Sequence, residues 1–186
     1  MGRISAQRPA VKLIIGFIFK EERVFQEAGA IVEKRFGSID FQSQFLSFTH
    51  TDYYREEFGE GLSKKIISFQ KLIPPQDLPE IKIFTNKVEK RLSAANKRLI
   101  NIDPGYLELS KLVLASGKDY AHRIYLNNGV YAEVTLFYRD KTFRNHECTY
   151  PDYRTPEYIA IFNQIRQIYS AQLNAANVPL LSKFLP

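Results

Sequence analysis

The chain has 186 residues, 45% of them hydrophobic, which is enough for one domain with a substantial core. Its formal net charge is +6, but no block of five like charges occurs, so charge alone does not predict a nucleic-acid partner. No apolar run approaches the roughly 20 residues that cross a bilayer. The lone Cys148 excludes an intrachain disulfide and a multi-cysteine metal cage.

The beginning of the chain and its single cysteine bear on location. Residues 1–10 (MGRISAQRPA) lack the apolar segment of a secretory signal. One cysteine is compatible with a reducing compartment. We therefore expect a cytoplasmic protein without a membrane partner, and we interpret residues 1–10 as a flexible N-terminal arm.

The first third of the chain predicts strands around one helix. Residues 11–19 are almost continuously apolar, which is typical of a central strand. In 21–36 apolar side chains recur at helical spacing, and Gly37 follows as a helix-ending residue. Residues 39–49 alternate as in a strand with one wetter face, and 64–72 predict another strand.

A second helix follows a break in the chain at Pro74 and Pro75. Residues 77–95 show an apolar stripe at helical spacing, with lysines on the other face. Residues 98–103 predict a short strand. The order strand, helix, strand, strand, helix, strand is that of a split βαβ, or ferredoxin-like, unit.

The last part of the chain predicts a hairpin and a helix. Residues 107–116 fit a short helix or a strand about equally. An Asn-Asn-Gly sequence between the apolar runs 122–126 and 130–138 is a strong hairpin signal. Thr155 as the cap, followed by proline and glutamate, begins the final helix.

These elements predict one α+β domain over residues 11–173, with 174–186 as a C-terminal tail. We expect a mostly antiparallel mixed sheet of about six to seven strands, with helices mainly on one face. The preferred arrangement is a ferredoxin-like βαββαβ core extended by a C-terminal hairpin and helix. A different mixed α/β sandwich is the alternative.

Asn101 and Asp103 form the first candidate site. The sequence Asp-Pro-Gly-Tyr at 103–106 fits a type II turn, with proline at the second position and glycine at the third. Such a turn would end an inner strand and present both polar side chains at the sheet's edge, where they could orient a ligand or hold Mg²⁺. The alternative is a well-made turn without a ligand.

The densest ionisable run, residues 118–123 (KDYAHR), forms the second candidate site. His122 is a candidate general base because the ordinary pKa of histidine lies near neutrality. Arg123 is suited to a phosphate or a carboxylate. In the alternative interpretation the run is an ion-paired strand edge, in which Asp119 pairs with Arg123 and Lys118 faces water.

Glu133 lies within an apolar strand sequence (VYAEVTL), where an acid is costly unless it is paired or exposed. One interpretation pairs it across strands with Arg123 or Lys111 as part of a site. The other makes it a solvent-facing acid on the wet side of the hairpin.

Sequence motifs for phosphates and metals are missing. No G-x-x-x-x-G-K-[ST] loop is present, and no G-x-G-x-x-G sequence follows a predicted strand. The three histidines lack the i, i+4 spacing of a zinc protease site. Apart from the Mg²⁺ that Asn101 and Asp103 could hold, the sequence indicates no metal ligands, and it assigns no cofactor.

Two segments resemble the motifs of a known family. Ser47–Gly59 (SFTHTDYYREEFG) and Asn101–Tyr106 (NIDPGY) are similar to paired motifs of an uncharacterised bacterial family, domain of unknown function 4416, and the similarity covers nearly the whole chain. Phe58 stands where the family often has methionine. The resemblance implies no established activity. It indicates these positions for attention: Tyr53, Tyr54, Glu57, Gly59, Asn101 and Asp103.

The leading hypothesis is a site for a small anionic ligand, such as a nucleotide or phosphoester, with or without enzymatic activity. The candidate catalytic residues are Asp103, Glu133 and His122. The candidate ligand-binding residues are Asn101, Tyr106, Lys111, Lys118, Arg123, Tyr53, Tyr54 and Glu57. This hypothesis predicts that the central polar side chains converge in one pocket.

Two alternatives stay open. An RNA-binding module would stack bases on exposed Tyr and Phe residues of the sheet and use the Lys-rich helix 77–95 for the RNA backbone. A structural or protein-interaction domain without chemistry would show an exposed apolar patch and no convergent polar cluster. The oligomeric state is not predicted.

Overall fold

The computed structural model describes residues 9–48, 58–95 and 97–176, which form nine β-strands and three α-helices. The strands are β1 (Lys12–Phe19), β2 (Ile39–Gln42), β3 (Leu46–Phe48), β4 (Leu62–Phe69), β5 (Ile100–Leu107), β6 (Lys111–Ser116), β7 (Ile124–Asn127), β8 (Val130–Arg139) and β9 (Thr142–Arg144). The helices are α1 (Glu22–Phe36), α2 (Leu78–Arg91) and α3 (Pro156–Ala175). The α+β class is confirmed.

All nine strands belong to one antiparallel sheet with the order β2-β4-β1-β5-β6-β8-β7. β3 also pairs with β4, and β9 also pairs with β8. The sheet has more strands than the sequence predicted, because the second predicted strand is divided into β2 and β3 and because β9 was not expected. The assignment of β1 to β5 as a ferredoxin-like core stays a prediction.

Helices α1 and α2 cover one face of the sheet. β1 is buried along its whole length, and its residues Leu13, Ile15 and Phe17 join the buried stripes of both helices in one apolar cluster. The buried residues of α1 have the predicted helical spacing: Val24, Phe25, Ala28, Val32 and Phe36. Two of the three described helices therefore share a face, as the sequence predicted.

Helix α3 covers the opposite face. Ile14 and Ile66, which alternate with the residues of the first face, pack with Leu136 and the buried side of α3. The helix begins as predicted, because the Thr155 side chain accepts a hydrogen bond from the Tyr158 N–H at 3.4 Å. The sheet is thus enclosed between helices on its two faces.

The prediction of a type II turn at 103–106 is wrong, because these residues lie inside β5. This strand pairs with β1 from Ile100 to Leu107. On its other side it pairs with β6 only from Gly105 to Leu107. Residues 100–104 therefore form an open edge, at which β5 and β6 have separated.

Proline and glycine are tolerated in β5 for two local reasons. The Ile102 N–H and C=O both point to the open edge. Since alternate residues of a strand point their backbone groups the same way, the nitrogen of Pro104 faces that edge too, where a missing N–H breaks no strand ladder. A Cβ on Gly105 would lie 2.4 Å from the Val113 carbonyl oxygen, so the close approach of β6 requires glycine.

The later strands resolve the remaining expectations. Of the two alternatives for 107–116, the strand is correct, and it is β6. The predicted hairpin is formed by β7 and β8, with Asn128 and Gly129 at φ values of 52° and 75° in its turn. This hairpin places β7 at the outer edge of the sheet.

Candidate functional site

Glu133 is buried because β8 contains a bulge. The pairing of β6 with β8 changes register between Leu112 and Val113, so that Leu114 lies opposite Glu133 and Leu112 opposite Leu136. Both leucines of β6 contribute to the cluster under α3, and directly paired residues share a face. Glu133 therefore points to the α3 face and is only 3% exposed, and the solvent-facing interpretation of this acid is wrong.

Three side chains surround the carboxylate of Glu133. Arg123 Nε donates a hydrogen bond to Oε2 at 2.7 Å, and His122 Nε2 lies 3.1 Å from the same oxygen. Thr135 Oγ1 lies 3.4 Å from Oε1. The partner of Arg123 is thus Glu133, not Asp119.

Arg123 organises this part of the sheet. Besides Glu133, its Nη1 donates to the Lys118 carbonyl at 2.9 Å and its Nη2 to the Tyr150 hydroxyl at 2.6 Å. Only 4% of the Arg123 side chain is exposed. Its guanidinium therefore ties the loop before β7 to β8 and to the segment that contains Tyr150. We call His122, Arg123, Glu133 and Tyr150 the Glu133 cluster.

His122 and Tyr150 are the members of this cluster that reach the surface. About 30% of the His122 side chain and 39% of Tyr150 are exposed. Among the described residues, none bonds Nδ1 of His122. Burial raises the pKa of Tyr150, and the negative charge of Glu133 adds to the rise, so the phenol stays protonated. An imidazole held by a buried carboxylate, with its other nitrogen available, is suited to general acid–base chemistry.

A second polar group closes the open edge of β5 with side chains of α2. Glu89 Oε1 accepts the Ile102 N–H at 2.6 Å, and Lys82 Nζ donates to the Ile102 carbonyl at 3.1 Å. These two side chains supply the partners that a neighbouring strand would otherwise provide.

Asn101 and Asp103 are held by the same side chains. Asn101 Nδ2 donates to Asp103 Oδ2 at 2.6 Å, and Lys82 Nζ donates to Oδ1 at 3.1 Å. Arg98 Nη1 donates to Asn101 Oδ1 at 3.0 Å and to Glu89 Oε2 at 3.2 Å. We call these five residues the β5-edge network. The Asp103 side chain is 31% exposed, whereas Asn101 is buried.

The two carboxylates of this network differ in their affinity for a proton. Burial favours the protonated form of Asp103, but the charges of Lys82 and Lys64 and the hydrogen bonds from Lys82 and Asn101 outweigh it and lower its pKa. Burial raises the pKa of Glu89, although the charge of Lys82 opposes the rise. Asp103 is therefore an ionised carboxylate near the surface, whereas the buried Glu89 takes up a proton more easily.

Asp103 of the β5-edge network lies near the Glu133 cluster, on the face of the sheet that α3 covers. The negative charges of Glu133 and Asp103 both act on the Tyr150 phenol. The Tyr150 ring centroid lies 6.1 Å from that of Tyr153. Asp103, with Asn101 bonded to it, thus lies in the same region as His122, Arg123 and Glu133.

A buried ion pair lies beside this region and was not found from the sequence. Lys64 Nζ is 2.6 Å from Asp152 Oδ2, with 4% and 6% of the two side chains exposed. The same Nζ is 4.3 Å from the centroid of the Tyr153 ring. The available signal was the run Tyr150–Tyr153 (YPDY), two aromatics and an acid immediately before a capped helix.

Other candidate residues lie away from this region or outside the described residues. Lys111 pairs with Glu108 at 3.0 Å, not with Glu133. Tyr106 packs against the apolar clusters next to α2. Lys118 contributes its backbone carbonyl to Arg123. The candidates that fall outside the described residues are Tyr53, Tyr54 and Glu57.

Cavities and metal ligands give no further site residue. One cavity, of about 170 Å³, lies between α1 and α2, and another, of about 350 Å³, lies between β2 and α3. Neither is lined by a candidate residue, so convergence in one pocket stays a prediction. In the described part of the chain, no three His, Cys, Asp or Glu side chains are grouped to hold a metal ion. None of the described helices is long and apolar enough to span a membrane.

Comparison with known proteins supports one assignment. No curated protein and no solved structure matches the chain. The family model described as Domain of unknown function (DUF4416) matches residues 9–169. This match confirms the family that the two sequence motifs indicated. The chain therefore belongs to the domain of unknown function family DUF4416.

Proposed function

We propose that this protein binds a small anionic ligand, of the nucleotide or phosphoester class, where the Glu133 cluster adjoins the β5-edge network. We further propose that His122 provides acid–base chemistry for that ligand. The observation that carries the proposal is the placement of His122 Nε2 and Arg123 Nε at 3.1 Å and 2.7 Å from one buried oxygen of Glu133.

The acid–base role of His122 is supported because an ion pair between Glu133 and Arg123 would not need a histidine as well. A buried carboxylate requires a counter-charge, and Arg123 alone supplies it. A half-exposed imidazole on the same oxygen adds little to that pairing, but the carboxylate orients the ring and selects its tautomer. Glu133 is therefore the positioning residue in this proposal, and His122 is the group that meets the ligand.

The anionic character of the ligand is supported by the groups around the exposed edge of the cluster. Tyr150 and His122 are half-exposed polar groups, and Lys118 lies on the same loop as His122. The formal net charge of +6 favours the approach of anions. Asp103, as an ionised carboxylate, is suited to accept hydrogen bonds from ligand hydroxyls such as those of a ribose.

Ligand titration tests the proposal. Adenosine monophosphate and inorganic phosphate should raise the melting temperature of the wild-type protein and perturb the NMR signals of His122. His122→Gln should weaken that binding about tenfold, which corresponds to about 1.4 kcal/mol. The control Lys87→Met removes a positive charge from the exposed face of α2 and should bind like wild type. Absence of both responses in the wild-type protein would contradict the proposal.

A protein-interaction domain is the second candidate, because β7 exposes apolar side chains at the sheet's edge. Ile124 is 72% exposed, Tyr125 57% and Leu126 38%. An uncharged edge strand readily accepts another strand. Sedimentation velocity over a range of concentrations tests for self-association. Association that Tyr125→Lys abolishes would favour this candidate, and a concentration-independent monomer would count against it.

An RNA-binding role has less support from the fold. Phe17, Phe19 and Phe69 of the central strands are buried under helices instead of forming an open stacking surface. Lys82, on the Lys-rich helix, is buried in the β5-edge network. Binding of single-stranded RNA that weakens steeply with salt would reinstate this alternative.

The proposed location is the cytoplasm. The only cysteine in the sequence, Cys148, has no possible intrachain partner and fits a reducing compartment. Fractionation of cells that express a tagged full-length chain would test this location.

A further inference from the structure

The Tyr150 hydroxyl accepts a hydrogen bond from Arg123, but its own proton is not used in the proposed function. Arg123 Nη2 lies 2.6 Å from its hydroxyl oxygen. A guanidinium has only donors, so the Tyr150 oxygen must accept this bond, and its own O–H proton is directed elsewhere. Among the described residues no side chain or carbonyl accepts that proton. The phenol is 39% exposed, so its donor position is open to a ligand.

We infer that Tyr150 is the ligand-contacting donor of this site, and that its O–H binds an acceptor oxygen of the phosphoryl group of the bound molecule. This inference rests on the proposed function and names the contact that would recognise the anion. It also separates the role of Tyr150 from that of Arg123, whose side chain is only 4% exposed and which therefore acts through its neighbours.

The surroundings of Tyr150 strengthen it as a donor. The bond from Arg123 holds a positive guanidinium against the phenol oxygen and draws electron density from its O–H bond, and hydrogen bonds in a chain polarise one another. Because burial raises its pKa, the hydroxyl keeps its proton at neutral and moderately basic pH.

The choice of Tyr150 over other tyrosines is specific. Tyr153 is buried, and Tyr125 is exposed in β7, at the outer edge of the sheet. The Tyr120 ring lies under the Arg123 guanidinium, whose Cζ is 4.7 Å from its centroid. Among the described residues, Tyr150 is the only tyrosine whose hydroxyl bonds Arg123.

The test compares Tyr150→Phe with wild type and with the control Tyr125→Phe by NMR titration. The probes are adenosine monophosphate, inorganic phosphate and adenosine, which lacks the phosphate. We expect Tyr150→Phe to weaken binding of the two phosphate probes about tenfold, as for loss of a hydrogen bond to a charged group. Adenosine should bind Tyr150→Phe and wild type alike, and Tyr125→Phe should bind every probe like wild type.

The His122 ring signals, followed in each variant, show whether the Glu133 cluster stays intact. Weaker phosphate binding with unchanged His122 signals supports the inference.

Wild-type affinity in Tyr150→Phe overturns the inference and leaves the proposed function standing. A loss accompanied by shifted His122 signals also overturns it, since the hydroxyl would then be structural. An equal loss for adenosine or in Tyr125→Phe overturns the phosphoryl contact. Failure of every probe to bind the wild-type protein overturns the proposed function and this inference together.

Discussion

Buried charges in this fold are held in pairs that the surrounding hydrogen bonds complete. Glu133 is matched by Arg123, and Lys64 by Asp152, with 2% to 6% of these four side chains exposed. Removing one member of such a pair leaves an uncompensated charge in a poorly solvated place, which is far more destabilising than breaking an exposed pair.

Glu133→Gln should therefore lower the free energy of unfolding by about 3 kcal/mol, because Arg123 loses its counter-charge. Asp140→Asn is the matched control: Asp140 pairs with Arg144 at 3.6 Å at the other end of β8, and both side chains are more than half exposed. Its effect should stay within about 0.5 kcal/mol. Urea denaturation measures both values, and similar values for the two variants would contradict the prediction.

Asp103 should make the stability depend on acid pH. Its pKa is lower in the folded protein than its ordinary value of 3.8, so it contributes stability above that value and loses it as the pH falls through the folded-state pKa. Asp103→Asn should therefore be less stable than wild type at neutral pH, and the difference should shrink in strong acid.

Urea unfolding from neutral to strongly acidic pH measures this difference, with the exposed Asp119→Asn as the control. If the free energies of unfolding of wild type and Asp103→Asn changed with pH in parallel, Lys82 and Asn101 would not stabilise the ionised carboxylate.

Some site residues were accessible to sequence reasoning and others were not. An acid within an apolar strand had to be paired or exposed, and Arg123 was a named partner of Glu133. Tyr150 and Lys82 could not be assigned in the same way, because their partners lie 27 and 21 positions away in the chain. Only the packing of separate elements brings them together.

At the scale of elements, alternation and helix caps predicted most helices and strands. The predictions that failed concern positions where a strand is locally irregular. The apolar run of β1 and the cap of α3 have unambiguous patterns. A bulge in β8 moves Glu133 to the buried face, and strict alternation cannot reveal it. The Pro104-Gly105 pair has strong turn chemistry, which the tertiary contacts of β5 override.

Gly105→Ala tests that override directly. The added Cβ would lie 2.4 Å from the Val113 carbonyl oxygen and 2.7 Å from Leu114 Cδ2, so β5 and β6 must separate. We expect a loss of about 1–3 kcal/mol in the free energy of unfolding, as for an overpacked core. Gly117→Ala is the control, since nothing lies within 4 Å of its added Cβ. Equal stability of the two variants would mean that the strands are not in close contact at Gly105.

At the scale of the whole molecule, the sheet runs from a protected centre to an exposed edge. β1 is hydrogen-bonded to β4 and β5 and is buried on both faces. All four residues of β7 are exposed, and its only described strand partner is β8. The β5-edge network lies between these extremes, where β5 and β6 have separated.

Amide hydrogen exchange should follow this gradient. Amides of β1 should exchange only through global unfolding, whereas β7 should exchange fastest of the strands, because its opening disrupts few buried contacts. Exchange followed by NMR at several denaturant concentrations measures this order. Protection in β7 equal to that in β1 would show that another molecule covers the edge in solution.

The completion of β5 by side chains of α2 has a consequence for biosynthesis. Lys82 and Glu89 take the place of a strand at Ile102. In a nascent chain whose α2 has not yet docked, the N–H and C=O groups of Ile102 are unpaired. They can then form hydrogen bonds with a strand of another polypeptide. Variants that weaken the docking of α2 on β5, such as Lys82→Met, should therefore aggregate during synthesis, even though the apolar core is unchanged.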